Sequence, residues 1–309
     1  MKKANPFTHG GFAFFLLFSC MYYDFLSNKS MEYVVLRFDL VYYVTHTPKR
    51  LPGGKDMDSF LGLLKKDIKI SRIWLLVWIC GIIFLFVTGH IIASRTQEPL
   101  VIFGFFVAVA FFLLFLSPVF VFYHLHKEGK SQLWLYNSNG GFWLLSSKLA
   151  ASLLYQFLIQ LALTAYGIWI YHMLSVKNLL EHQVDITSTT VLLNMYGLIS
   201  SLYMSVTVVV FWTVFHSLKN WRGMRWAAMG LLVTVWFFFD EYIISPLVES
   251  QKHFWPITVY CNFDFHFRNV WRLELKPIHL SVLGFPIAIV ITILLLIAAS
   301  KLLDRKVEV

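Results

Sequence analysis

Charge is what this sequence has least of. Of its 309 residues, 14% are Asp, Glu, Lys or Arg, against about a quarter in soluble domains. A water-soluble globule of this length needs a polar shell that these residues cannot supply, so the main solvent is lipid. Cysteine is sparse too. The three present, Cys20, Cys80 and Cys261, exclude a disulfide framework. Cys261, Asp264, His266 and His253 lack the tight spacing of a metal site. No His-Glu-x-x-His motif or Asp-rich repeat occurs, and Asp240-Glu241 is the lone adjacent acidic pair. Gly129-Lys130-Ser131 imitates the end of a phosphate-binding loop. His124 stands where that loop requires its upstream glycine, and no strand precedes it. The sequence therefore offers no catalytic, metal or nucleotide site of its own. It has no internal repeat and no low-complexity tract.

What the chain has is apolar length. It is 58% hydrophobic and 18% aromatic, with a mean hydropathy of +0.66. Roughly 20 apolar residues make a membrane-crossing helix, and six stretches qualify: 73–93, 100–123, 149–174, 190–215, 226–247 and 279–300. None contains Lys or Arg. The formal charge of +9 does not point to nucleic acid, because the basic residues lie scattered between these stretches. In a membrane protein that pattern records orientation. One side receives Lys65, Lys66, Lys69, Arg72, Lys127, Lys130, Lys148, Lys219, Arg222, Arg225, Lys301, Arg305 and Lys306. The other receives Arg95, Lys177, Lys252, Arg268, Arg272 and Lys276. The imbalance predicts both ends of 57–309 in the cytoplasm. The fold class expected is an all-α, polytopic bundle of six transmembrane helices.

Ahead of the first stretch, Phe60, Leu61, Leu63, Leu64, Ile68 and Ile70 share one helical face. Asp58, Gly62, Lys65, Lys66, Lys69 and Arg72 share the other. Such a segment lies in the interface plane with its lysines at the headgroups. The loop 248–278 alternates aromatic and charged residues and is expected to fold back on the outer membrane surface, where aromatics prefer to sit.

The sharpest motif is His126-Lys127-Glu128-Gly129-Lys130-Ser131-Gln132-Leu133-Trp134-Leu135-Tyr136, followed by the turn Asn137-Ser138-Asn139-Gly140-Gly141 and by Lys148-Leu149. With the interfacial lead-in, six spans, inward ends and a long outer loop before the last span, it resembles the permease subunits of bacterial type-2 ABC exporters. The resemblance covers roughly 57–309; Ser138 departs from it, since many relatives carry proline in that turn. It implies a short cytoplasmic coupling helix opened by Glu128-Gly129, with Leu133, Trp134 and Leu135 as an apolar plug and Lys127, Glu128 and Lys130 as a charged rim. It further implies a cytoplasmic-membrane location, an ATPase on a separate chain that holds the ATP, and a second permease subunit, alike or different. The chain itself is then no enzyme. Read without the resemblance, the same residues describe an ordinary basic loop at the membrane interface.

Polar residues inside the spans suggest a translocation path or interhelical glue. Gln156, Gln160 and Thr164 recur every four residues on span three, and Ser201 and Ser205, with Asn194, lie on span four. Glue is favoured. Asp240 and Glu241 fall near the outer end of their span, where a solvated helix end is expected rather than a proton relay. Two other functions compete: a lipid-modifying or hydrolytic membrane enzyme, and a non-transporting immunity or sensor protein. The substrate is not readable.

Residues 1–56 form a separate problem. Lys2 and Lys3 precede a short apolar run, 12–18, ending near Ser19-Cys20; a signal peptide and an extra helix are two readings, though Phe18 fits a cleavage box poorly and 11–26 is short for a span and holds Asp24. A third comes from the genetic code. Pro52-Gly53-Gly54-Lys55-Asp56-Met57 can be encoded CCA-GGA-GGT-AAA-GAT-ATG, which embeds the bacterial ribosome-binding sequence AGGAGG before an ATG. Met57 is therefore expected to be a start and 1–56 a leader. Changing the Met57 codon should abolish the product seen on an immunoblot against the C-terminus. A stop codon at Lys29 should leave it intact, and its loss would show that 1–56 is genuine.

Overall fold

The computed structural model describes residues 56–131, 140–177, 179–180, 186–218, 222–239, 241–242, 256–268, 270–281 and 284–306. Contacts divide the chain into Met1–Gly54 and Lys55–Val309, and everything described belongs to the second unit. The readings of 1–55 as leader, signal or helix lie outside the described residues, and so do Gln132–Asn139.

The described residues form a multi-pass membrane helix bundle. Helix α1 runs Asp56–Thr96, α2 Leu100–Leu113, α3 Leu116–Ser131, α4 Gly140–Val176, α5 Ile186–Ser217 and α6 Arg222–Phe239. Strands β1, Pro256–Arg268, and β2, Val270–Ser281, precede α7, Gly284–Lys306. Five helical segments are long and apolar enough to cross a membrane: Phe60–Thr96, Leu100–Gly129, Gly140–Val176, Thr189–Ser217 and Gly284–Asp304. Their outward faces carry large apolar side chains such as Phe84 (69% exposed) and Leu294 (61%), as a lipid-facing surface should. The fifth expected span is shorter than anticipated: α6 has 18 residues, about 27 Å of helix, against a hydrocarbon core of about 30 Å. Glu241 lies in a helical turn beyond it, while Asp240 falls outside the described residues.

Two elements depart from the sequence reading. The lead-in 57–72 is not a separate helix in the interface plane. It is continuous with span one in the 41 residues of α1, about 60 Å long and so twice the hydrocarbon thickness. Its inner face packs on the bundle instead of on headgroups: Asp67 and Ser71 are buried, and Tyr155 Oη donates to the Ile68 carbonyl at 2.6 Å. The outer loop, in turn, contains an antiparallel hairpin, β1 with β2, from Pro256↔Ser281 to Arg268↔Val270. Phe263, Phe265 and Phe267 alternate with Asn262, Asp264, His266 and Arg268, and they stand opposite Leu275, Leu273 and Trp271. That spacing of two is the period of a strand. Leu273 is buried, and its N–H donates to the Leu179 carbonyl at 3.0 Å. It joins Ala93, Leu100, Ile170 and Leu174, so the hairpin closes the end of the bundle opposite the basic one.

Span two is broken in its middle, between α2 and α3. Pro118 has no N–H to offer the Leu114 carbonyl, and its ring crowds that carbonyl. The chain responds with tighter turns, Leu114 N–H to Phe111 O at 3.2 Å and Phe115 N–H to Phe112 O at 3.1 Å.

The end of α7 is tied to the start of α4 by the Gly141–Asp304 bond, so the labelling question is on which side of the membrane each connection lies. Six crossings predict that a cysteine at Asn139, in a background lacking the native ones, is shielded from an impermeant external thiol reagent. A cysteine at Ser250 should label. The reverse pattern, labelling at Asn139 and shielding at Ser250, would overturn the six-crossing arrangement.

Candidate functional site

At the basic end of the bundle a buried cluster of charge joins three helices. Lys148, on the first third of α4, is 1% exposed. Its Nζ lies 2.7 Å from Glu128 Oε2 on α3 and 3.4 Å from Asp67 Oδ1 on α1. Lys66 approaches the other Glu128 oxygen at 2.6 Å. Ser147 Oγ donates to Asp67 Oδ2 at 2.8 Å, and His124 Nδ1 stands 4.0 Å from Asp67 Oδ1. Two cations thus face two carboxylates. Burying them is costly, and the attraction repays that cost only while every partner remains in place. The cluster fixes the rotation of α1, α3 and α4 about one another, because no apolar contact in lipid specifies it as sharply.

Packing around the cluster is close. Gly129 sits where a Cβ would come within 2.9 Å of the Trp212 ring on α5. Gly141, at the start of α4, is equally tight against α7, where a Cβ would meet Asp304 Oδ1 at 2.8 Å; the same oxygen accepts from the Gly141 N–H at 2.8 Å. Val121, Leu125, Leu144, Leu145, Leu149, Val206, Val209 and Leu303 fill the space between.

This changes the place of the expected coupling residues. Glu128 does not open a short helix. It lies in the last turns of α3, the continuation of span two, and is 7% exposed. An acid near a helix C-terminus is disfavoured by the helix dipole, and the two lysines offset that. Lys127 Nζ lies over the Tyr123 ring at 5.3 Å, and Gly129 serves the contact with α5. Lys130 belongs to α3, with its side chain undescribed, and Leu133, Trp134 and Leu135 lie outside the described residues. Asp67 is the residue that the sequence reading missed. The signal was available, since an acid at 67 interrupts the apolar face containing Leu63, Leu64 and Ile68.

The polar residues of the spans come together in the bundle centre. Gln156 Oε1 accepts from the Ser117 N–H at 3.2 Å and from Ser201 Oγ at 2.6 Å. Ser117 Oγ lies 2.9 Å from both Ser152 Oγ and Ser205 Oγ. Gln160 Nε2 donates to the Asn194 carbonyl at 2.9 Å, and Thr164 Oγ1 donates to Asn194 Oδ1 at 3.0 Å. Every one of the five candidate path residues therefore bonds to a neighbouring helix, the pattern of interhelical glue.

No protein-family model matches the chain, and no solved structure does. Among curated proteins it is similar to "Uncharacterized protein YhcE" of Bacillus subtilis (strain 168), 90% identical over 253 residues, which are 82% of this chain and all of that protein. It is also similar to "Uncharacterized protein YhcD" of the same strain, 68% identical over 53 residues, 17% of this chain and 98% of that protein.

Replacing Lys148 by Met strands Asp67 and Glu128 beside a single lysine and should cost about 3–5 kcal/mol. The loss should appear as a lower unfolding temperature of the detergent-solubilised chain. Adding Asp67→Asn to restore neutrality should recover most of it. A single variant as stable as the parent would show that the cluster does not hold the helices.

Proposed function

The chain belongs to the family of Bacillus subtilis YhcE, and for this family we propose the role of membrane-spanning subunit in an ATP-driven ABC exporter, with ATP bound and hydrolysed on a separate partner chain. In this reading α6 extends to a sixth crossing, both ends of 57–309 are cytoplasmic, and two such subunits pair in the bacterial cytoplasmic membrane. One observation carries the proposal. Residues 132–139 connect α3 to α4, two helices that the buried cluster clamps together, Glu128 on one and Lys148 on the other. A force applied at this connection reaches α1, α3 and α4 as one body, which is what rigid-body coupling to an ATPase requires. The lengths of the two matches, 253 and 53 residues, also support the reading of Met57 as a start, since 57–309 is 253 residues long.

Leu133→Asp tests the coupling. A charge in a dry protein–protein groove forfeits about 1.5–3 kcal/mol of apolar burial and adds a desolvation cost, while the spans are untouched. The variant should reach the membrane at parental levels yet co-purify with little or no ATP-hydrolysing activity. Leu85→Asp, inside span one, should fail at insertion, where an acid at a helix centre costs about 2.5–3.5 kcal/mol. Full retention of the ATPase by Leu133→Asp would remove the coupling loop from the proposal.

A further inference from the structure

We infer that the break in span two holds a binding site for one neutral group that both accepts and donates a hydrogen bond, seated between Gln156 and Gln160. The two side chains lie one turn apart on α4. The backbone fixes which end each amide presents. Ser117 N–H, in the first turn of α3, can only donate, so Gln156 must turn its oxygen toward it. The Asn194 carbonyl can only accept, so Gln160 must turn its nitrogen there. What remains is Gln156 Nε2 and Gln160 Oε1, both buried and both without a hydrogen-bond partner. Gln156 is 0% exposed and Gln160 8%. A buried donor and a buried acceptor left unmet both forfeit their hydration, and one ligand of the right chemistry answers both.

The surroundings select that chemistry. The serines of the centre already bond to each other or to carbonyls: Ser152 Oγ to Leu149 O, Ser205 Oγ to Ser201 O. No charged side chain lies on α4 between Lys148 and the far end, and Lys148 is about 12 Å away along the helix, bound to its own carboxylates. A charged ligand would find no counter-ion among these groups, whereas a water, a hydroxyl or an amide fits one donor and one acceptor. The α3 N-terminus beside it favours the oxygen of such a group. Discontinuous helices near the membrane midplane form substrate sites in transporters by this geometry. Gly197 marks how closely the site is built, since a Cβ there would stand 3.1 Å from Gln160 Nε2 and 3.8 Å from the Leu114 side chain.

Water is one source of the group; an amide or hydroxyl of a transported molecule is the other, and that second source rests on the exporter reading. Solid-state NMR of the full chain in lipid bilayers, ¹⁵N-labelled at glutamine side chains, separates them. Gln156→Glu keeps an oxygen toward Ser117 and identifies the Gln156 resonance by its loss. Magnetisation transfer from water to Gln156 Nε2 is expected. A saturable shift of the Gln156 and Gln160 signals with added acetamide would make the site one for amide-bearing cargo. Transfer from water with no acetamide shift would make it a structural water site. Neither transfer nor shift would overturn the inference, and either result stands independently of any ATPase.

Discussion

The arrangement of this bundle depends on Lys148 being held between Asp67 and Glu128. In lipid the apolar side chains that face a neighbouring helix gain little over facing an acyl chain. Large apolar residues therefore say which stretches cross the membrane and very little about which helix touches which. A buried cation with two carboxylates is different, because each charge is tolerable only in one relative placement of α1, α3 and α4. The hydrogen bond from Ser147 to Asp67 and the Gly141–Asp304 bond extend the same specification to the start of α4 and to α7. A single misplaced turn of any of these helices would leave a charge unmet.

The crossing segments were legible because lipid leaves a backbone few options: every N–H and C=O must be met within the segment, so an apolar run of sufficient length is a helix. The charge pattern grouped some residues correctly. The residues grouped on the basic side, Lys66, Lys127 and Lys148, do converge at one end of the bundle. The rest of the site was hidden for identifiable reasons. Asp67 was passed over because a wheel divided into polar and apolar halves has no category for an acid whose partner arrives from another helix 81 residues on. Glu128 heads a new helix only in what the exporter resemblance implies. The structure uses Gly129 for its missing Cβ, against Trp212, and the helix continues.

The hairpin shows the same difficulty from the other side. Composition alone is enough to make Phe263, Phe265 and Phe267 interfacial aromatics. Their spacing of two, matched by Trp271, Leu273 and Leu275, is a strand pattern and answers a different question. Composition places a residue at a depth in the membrane; period decides what the backbone does there. In α1 the two criteria diverged again, since amphipathic composition suggested an in-plane segment. The face formed by Leu63, Asp67 and Ser71 was a packing face of one long helix.

Both ends of span two are tied and its middle is not regular helix. At the basic end α3 is bound through Glu128 to Lys148 and through Gly129 to α5. At the other end Leu100 and Ile102 of α2 are locked under Leu273 of the hairpin. Between them Pro118 removes one backbone bond, and the polar side chain of Gln156 replaces another. A displacement of the clamped end therefore has to be absorbed at Leu114–Phe115, where side-chain hydrogen bonds can exchange at less cost than an intact helical ladder. That is also the level at which Gln156 and Gln160 present their unmet groups. Glu128 in the clamp and Ser117 in the polar centre are both on α3, and the break just before Ser117 gives span two a place to bend.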